Sequence, residues 1–100
     1  MGADITWKDG HKSWYYRDSY NDGSLASLSG QSYWKDYDKH GDDLTSHKRF
    51  FEKLSKVSDA AIRRRAGGDY DLESYLVKKR DEVREKLPFV KKAKKVEWSV

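Results

Sequence analysis

The chain contains no cysteine, which excludes a disulfide framework and any cysteine-ligated zinc. No apolar run approaches membrane-spanning length, and Met1 to Lys8 lacks the charged start and apolar stretch of a signal peptide. A reducing, cytoplasmic setting with no membrane partner is therefore expected. Also missing are a Gly-rich phosphate loop, a nucleophile elbow and a paired-carboxylate motif, so no catalytic residue and no cofactor is assigned. Aliphatic residues are scarce: Leu, Ile, Val and Phe supply 18 of the 100 positions, a level that raises the question of disorder.

What is present answers that question. Four Trp, seven Tyr and three Phe each bring a large apolar area to bury, and Trp7, Trp14, Tyr15, Tyr16, Tyr20, Tyr33, Trp34 and Tyr37 all lie in the first 37 positions. The net charge of +4 is a difference between unlike halves. Residues 1–48 hold six Lys and Arg against eight Asp and Glu, and residues 49–100 hold fifteen against nine. One hundred residues predict one domain, with an aromatic β-rich part over 1–37, a basic helical part over 43–90 and a C-terminal strand over 95–100. There is no internal repeat and no low-complexity linker.

The segment around which the rest is arranged runs from about Asp71 to Leu87. At 100° per residue Leu72, Leu76, Val83 and Leu87 fall in a stripe roughly 60° wide, with Tyr75 on its flank, so one face of this long helix must be covered. Asp69 or Asp71 caps its start, and Pro88 marks its end. Before it, a helix is predicted from about Ser46 to Lys56, capped by Asp43 or Thr45, with Phe50, Phe51, Leu54 and Val57 as its apolar edge. A short helix follows over 60–66, closed by Gly67-Gly68, with Ala61 and Ile62 turned inward. At the other end, Asp9-Gly10 between Asp4–Lys8 and His11–Arg17 is a two-residue hairpin signal that places Ile5 opposite Trp14. Ile5, Trp7 and Trp14 then share a face, and Ser13, Tyr15 and Arg17 take the other. A turn at Asn21-Asp22-Gly23 leads to a third strand over 24–30, with Gly30 as a bulge or bend, and residues 31–39 read as either a fourth strand or a short helix. Val96 to Val100 alternates as a strand. The fold class is α+β: an antiparallel sheet packed against a basic helical half.

Two surfaces carry the functional expectations. The first is the basic set Arg63, Arg64, Arg65, Lys78, Lys79, Arg80, Arg84, Lys91 and Lys92, with Lys94 and Lys95 beyond it, which would neutralise phosphates of a nucleic acid or meet an acidic protein partner. The second is the aromatic set Tyr15, Tyr33 and Trp34, where neighbouring residues cannot all face one core and an exposed ring would anchor a protein partner. The short helix, Gly-Gly turn and long helix also invite a helix-turn-helix reading, but Asp81, Glu82 and Glu85 would meet phosphates in a groove. Asp36, Asp38 and Gly41 begin like a calcium loop, yet His47 stands where a bidentate Glu should complete it, so an acidic surface loop is expected and no metal is assigned. His11, His40 and His47 keep a small basic ribonuclease as the remaining enzymatic alternative. The leading reading is a small non-enzymatic nucleic-acid-binding protein; the rival is a protein-interaction module or inhibitor.

Overall fold

The computed structural model describes residues 2–19 and 23–100. Strands β1 (Gly2–Asp9) and β2 (Lys12–Ser19) form the hairpin, and β3 (Lys95–Ser99) returns to the other side of β1, giving an antiparallel sheet of order β2-β1-β3. Among the described residues, five helices lie between β2 and β3: α1 (Leu25–Leu28), α2 (Tyr33–His40), α3 (Leu44–Ser55), α4 (Asp59–Ala66) and α5 (Tyr70–Lys92). The α+β class holds, and the first and last strands of the chain meet in one sheet.

Hairpin register departs from expectation by two residues. Asp9 faces Lys12, Trp7 faces Trp14 and Ile5 faces Tyr16, so the loop is Gly10-His11. Gly10 has φ +60°, and no described non-glycine residue has positive φ; a glycine at the first central position only is the II′ pattern, whose twist matches the strands. An Asp-Gly loop of type I′ would have required Asp9 to take that conformation. Because side chains alternate with period two, a two-residue slip leaves every side chain on its expected face. Ala3, Ile5, Trp7, Trp14, Tyr16, Val96 and Trp98 point into the core, and Asp4, Thr6, Lys8, Tyr15, Arg17 and Glu97 point out.

Residues 24–30 are a helical turn and not a third strand. Ser24 precedes it, Leu25 and Ala26 are buried, and Gly30 (φ +74°) closes it with Gln31 N–H donating to Ala26 O and Gly30 N–H to Ser27 O, a Schellman arrangement. Gly30 is thus a helix cap and not a bulge. Asn21 and Asp22 of the expected turn lie outside the described residues, as does Tyr20 before them. Residues 33–40 resolve as helix, with the Ser32 side chain accepting from Lys35 N–H.

Capping elsewhere follows the sequence closely. Asp43 accepts from Ser46 N–H, Ser58 from Ala61 N–H and Asp69 from Leu72 N–H, and Gly67 closes α4. Pro88 does not end α5. The helix runs one further turn, with Pro88 on its exposed side and Val90 and Ala93 buried beyond it. That burial, and the attachment of β3 directly afterwards, offsets the hydrogen bond that proline removes.

α3 and α5 run antiparallel on one face of the sheet. Phe51 of α3 meets Trp7, Trp14 and Tyr16 edge-on at centroid distances of 5.1, 5.8 and 5.1 Å, and Phe50 meets Trp98 at 5.3 Å. These edge-to-face pairs each add about 0.5–1.5 kcal/mol beyond their area. Leu76, Val83 and Val90, seven residues apart, form the buried seam of α5. The few aliphatics suffice because aromatics from the sheet fill the space between layers.

Candidate functional site

The nine cations singled out by sequence do not form one surface. Arg80 is a correction: only 4% exposed, it lies on the buried face of α5, 40° round from Leu76. Its guanidinium donates to Val57 O (3.2 Å) and to the carboxylates of Asp59 and Asp81, which leaves it no means of reaching a phosphate. The hydrogen bond from Arg80 in turn holds the Asp59 carboxyl below its ordinary range. Arg84 donates to Ser55 O (2.7 Å) and Val57 O (3.3 Å), so both arginines satisfy carbonyls left over where α3 ends. Lys79 lies 5.3 Å from the centroid of Tyr16 and 5.9 Å from that of Tyr75, with Glu82 3.7 Å away. These three side chains hold α5 in place.

The exposed remainder divides between two ends. Arg63, Arg64 and Arg65 occupy the last turn of α4, beside the start of α5; Arg63 shares a cleft with Asp59, Glu73 and Asp81, while Arg64 and Arg65 flank Ser27, Leu28 and Ala61. Lys91 and Lys92 occupy the last turn of α5. At 1.5 Å per residue, a 23-residue helix separates these two groups by about 30 Å. Lys78 stands exposed between them, with Glu85 and Asp81 on its own side of the helix.

At the far end of α5 the fold gathers further lysines that the sequence reading did not bring together. Lys48 of α3 donates to Lys91 O at 2.9 Å, Lys94 N–H donates to Lys8 O at 2.9 Å, and Lys8 stands opposite Lys95 across β1 and β3. Lys8, Lys48, Lys91, Lys92, Lys94 and Lys95 therefore converge from four segments, with the hairpin loop and its exposed His11 alongside. Glu97 is the acid bonded among them, at 2.9 Å from Lys8 and 3.3 Å from Lys95, and those two hydrogen bonds keep its carboxyl below the ordinary range. The cations also face the negative end of the α5 dipole. Only Lys91, Lys92, Lys94 and Lys95 are close in sequence; Lys8 and Lys48 had no local signal.

Where α5 begins, the arrangement is reversed. Asp18, 2% exposed, accepts hydrogen bonds from the hydroxyls of Tyr16 (3.2 Å), Tyr33 (2.9 Å) and Tyr75, and from Ser19 N–H (2.8 Å) and Leu25 N–H (3.1 Å). Burial first, and the adjacent carboxylate next, push the Tyr16 hydroxyl well above its ordinary pKa. Burial also leads for Tyr33 and Tyr75, both likewise raised. All three remain donors. Tyr33 is thereby corrected as a partner-binding residue, because it is buried and tied to this carboxylate. Tyr15 and Trp34 remain more than half exposed, and the Tyr15 hydroxyl donates to Asp4 at 2.8 Å.

The acidic segment 36–47 is not a loop over its first residues: Asp36 and Asp38 belong to α2. Asp36 faces α3, with Oδ2 3.1 Å from Nδ1 of His47. His47 is fully buried, stacked 3.9 Å from Trp98, with Nε2 bonded to Gly41 O. Its place in the core keeps it from acting on a substrate. Among the described residues no cluster of three or more His, Cys, Asp or Glu could hold a metal ion, and no helix is long and apolar enough to cross a membrane. No family model matches the chain, and no curated protein or solved structure is significantly similar to it.

Proposed function

We propose that the protein binds nucleic acid through the phosphate backbone, using the lysine-rich end of α5. The convergence of Lys8, Lys48, Lys91, Lys92, Lys94 and Lys95 on one end, with Glu97 bonded among them, carries this reading. Ammonium groups on flexible stems contact phosphates as point charges and carry no base preference of their own. The exposed large aromatics of the described residues are Tyr15, Trp34, Tyr37 and Tyr70, none of them in the last turn of α5, in the hairpin loop or at the start of β3. Binding by this end is then insensitive to sequence and indifferent to base stacking, which favours a duplex over an extended single strand. The Arg63 to Arg65 group lies about 30 Å away and takes no part.

A salt titration with a labelled 20-base-pair duplex tests the reading. Five or six phosphate contacts predict a log–log slope of about −5. Replacing Lys91, Lys92 and Lys94 together by Glu is expected to weaken binding at least tenfold and to flatten the slope by about 3. The same reversal of Arg63, Arg64 and Arg65 is expected to change affinity less than threefold. Absence of duplex binding at low salt, or equal loss from both triple reversals, would overturn it.

A further inference from the structure

Main-chain hydrogen bonding in an antiparallel sheet alternates from side to side, and one bond sets its phase here. Lys94 N–H donates to Lys8 O, and Lys8 faces Lys95, so the main-chain groups of even-numbered β1 residues turn toward β3 and those of odd-numbered ones toward β2. Trp98 N–H, on the far side of β3 by the same alternation, donates to Asp42 at 3.0 Å, so a side chain occupies the middle of that edge. In β2 the facing partners are Lys12, Trp14, Tyr16 and Asp18. The N–H and C=O groups of Ser13, Tyr15 and Arg17 therefore point away from the sheet, and among the described residues no main-chain bond from another element meets them. β2 is eight residues long, with no proline and no bulge in its register. Such an edge is a ready template for another strand.

We propose that β2 pairs antiparallel with β2 of a second copy of this chain, about a two-fold axis at Tyr15, joining two three-stranded sheets into one of six strands. In this register Tyr15 faces Tyr15 and Ser13 faces Arg17, so outward-pointing groups meet outward-pointing groups, and each facing pair exchanges two hydrogen bonds. On the open face the tyrosine rings meet across the axis and each Arg17 faces a serine, so no like charges are opposed.

The helix layer selects this register over its neighbours. Glu82 of α5 lies level with Trp14, to whose Nε1 it is bonded at 3.1 Å, and Lys79 lies level with Tyr16, over its ring. An axis at Tyr15 opposes Trp14 to Tyr16 of the other copy and so brings Glu82 level with Lys79 of the other α5. An axis at Trp14 would oppose the two Glu82 side chains, and one at Tyr16 would oppose the two Lys79 side chains. Only the Tyr15 register sets opposite charges against each other, which is the complementarity an isologous interface requires.

Sedimentation equilibrium and amide hydrogen exchange test this. The parent protein is expected at twice the chain mass, with the amides of Ser13, Tyr15 and Arg17 exchanging more slowly as concentration rises. Tyr15→Pro removes an amide that β1 does not use, so it should leave the monomer folded by circular dichroism while weakening association about a hundredfold. Lys79→Glu should weaken it about tenfold, and Lys79→Glu with Glu82→Lys should restore it. A parent that is monomeric at about 1 mM, weaker than any useful affinity, overturns the proposal. So does a dimer with unprotected Ser13, Tyr15 and Arg17 amides, or a Tyr15→Pro dimer as tight as the parent.

Discussion

The two ends of α5 treat charge in opposite ways. Where the helix begins, one carboxylate, Asp18, is shut away from water and surrounded by three tyrosine hydroxyls and two amides. Where it ends, six lysines gather, Lys91, Lys92, Lys94 and Lys95 exposed and Lys8 and Lys48 half-buried, with Glu97 bonded to two of them. A buried charge persists only when every lone pair is met, and meeting them ties β2, α1, α2 and α5 together. An exposed, under-compensated group of like charges contributes little to folding and leaves its capacity for an outside anion. The same helix thus separates a structural charge from an available one.

Removing the first should be the largest perturbation. Asp18→Ala removes the shared acceptor of three hydroxyls and two amides, leaving Tyr16 and Tyr33 only each other at 3.0 Å, and urea unfolding is expected to show a loss of about 3–5 kcal/mol. A loss below about 1 kcal/mol would mean that water already serves this site. Alkali probes the same end from the donors' side. Tyr16, Tyr33 and Tyr75 have folded pKa values above the ordinary value near 10, so the stability they contribute is complete below that pH and is lost as pH rises toward the folded values. The unfolding free energy from urea titration, as far as these groups set it, should stay level to about pH 9 and fall beyond 10, with Tyr33→Phe reducing the slope by about 1.4 kcal/mol per pH unit.

Two arginines sharpen the contrast with smaller effects. Arg80→Ala strips a hydrogen-bond donor from Val57 O and a partner from Asp59, with an expected cost of about 2–3 kcal/mol by thermal or urea unfolding. Arg64→Glu, on the exposed side of α4, should stay within about 0.5 kcal/mol of the parent. The smallest change in stability belongs to the lysine end: reversal of Lys91, Lys92 and Lys94 should leave the urea midpoint nearly unchanged, within about 0.5 kcal/mol, even as duplex affinity falls. A large loss of stability there would show that these lysines serve the α5 dipole and not a ligand.

Much of the fold was legible because it depends on short-range rules. The caps at Asp43, Ser58 and Asp69 and the αL glycine at Gly67 lie within four residues of the groups they satisfy. Strand faces followed from parity alone, which is why they survived a hairpin register that was off by two. Arg80 was legible only in part: on the helical wheel it lies 40° from Leu76 and 20° beyond Leu87, at the border of the apolar stripe, and its burial depends on the carbonyl of Val57 and the carboxylates it meets there. Residues 24–30 and Pro88 were decided by their surroundings. Leu25 N–H answers a carboxylate seven residues earlier, and α5 continues past proline because Val90 and Ala93 find a core to enter.

By itself, the amino-acid order determined the hairpin strands, the helices over α3, α4 and most of α5 with their N-terminal caps, the inward face of each strand and the apolar seam of α5, since each of these is set by residues within a turn or a strand pair of one another. It also determined that positive charge is concentrated in the second half. Only the tertiary structure decided which of those charges are free. Antiparallel packing of α3 on α5 and of β3 on β1 brings Lys48 to Lys91 and Lys8 to Lys94, across 43 and 86 positions of the chain, while the same packing withdraws Arg80 into the core. No periodicity spans such separations, because what joins these residues is the burial of aromatic and aliphatic faces elsewhere in the molecule.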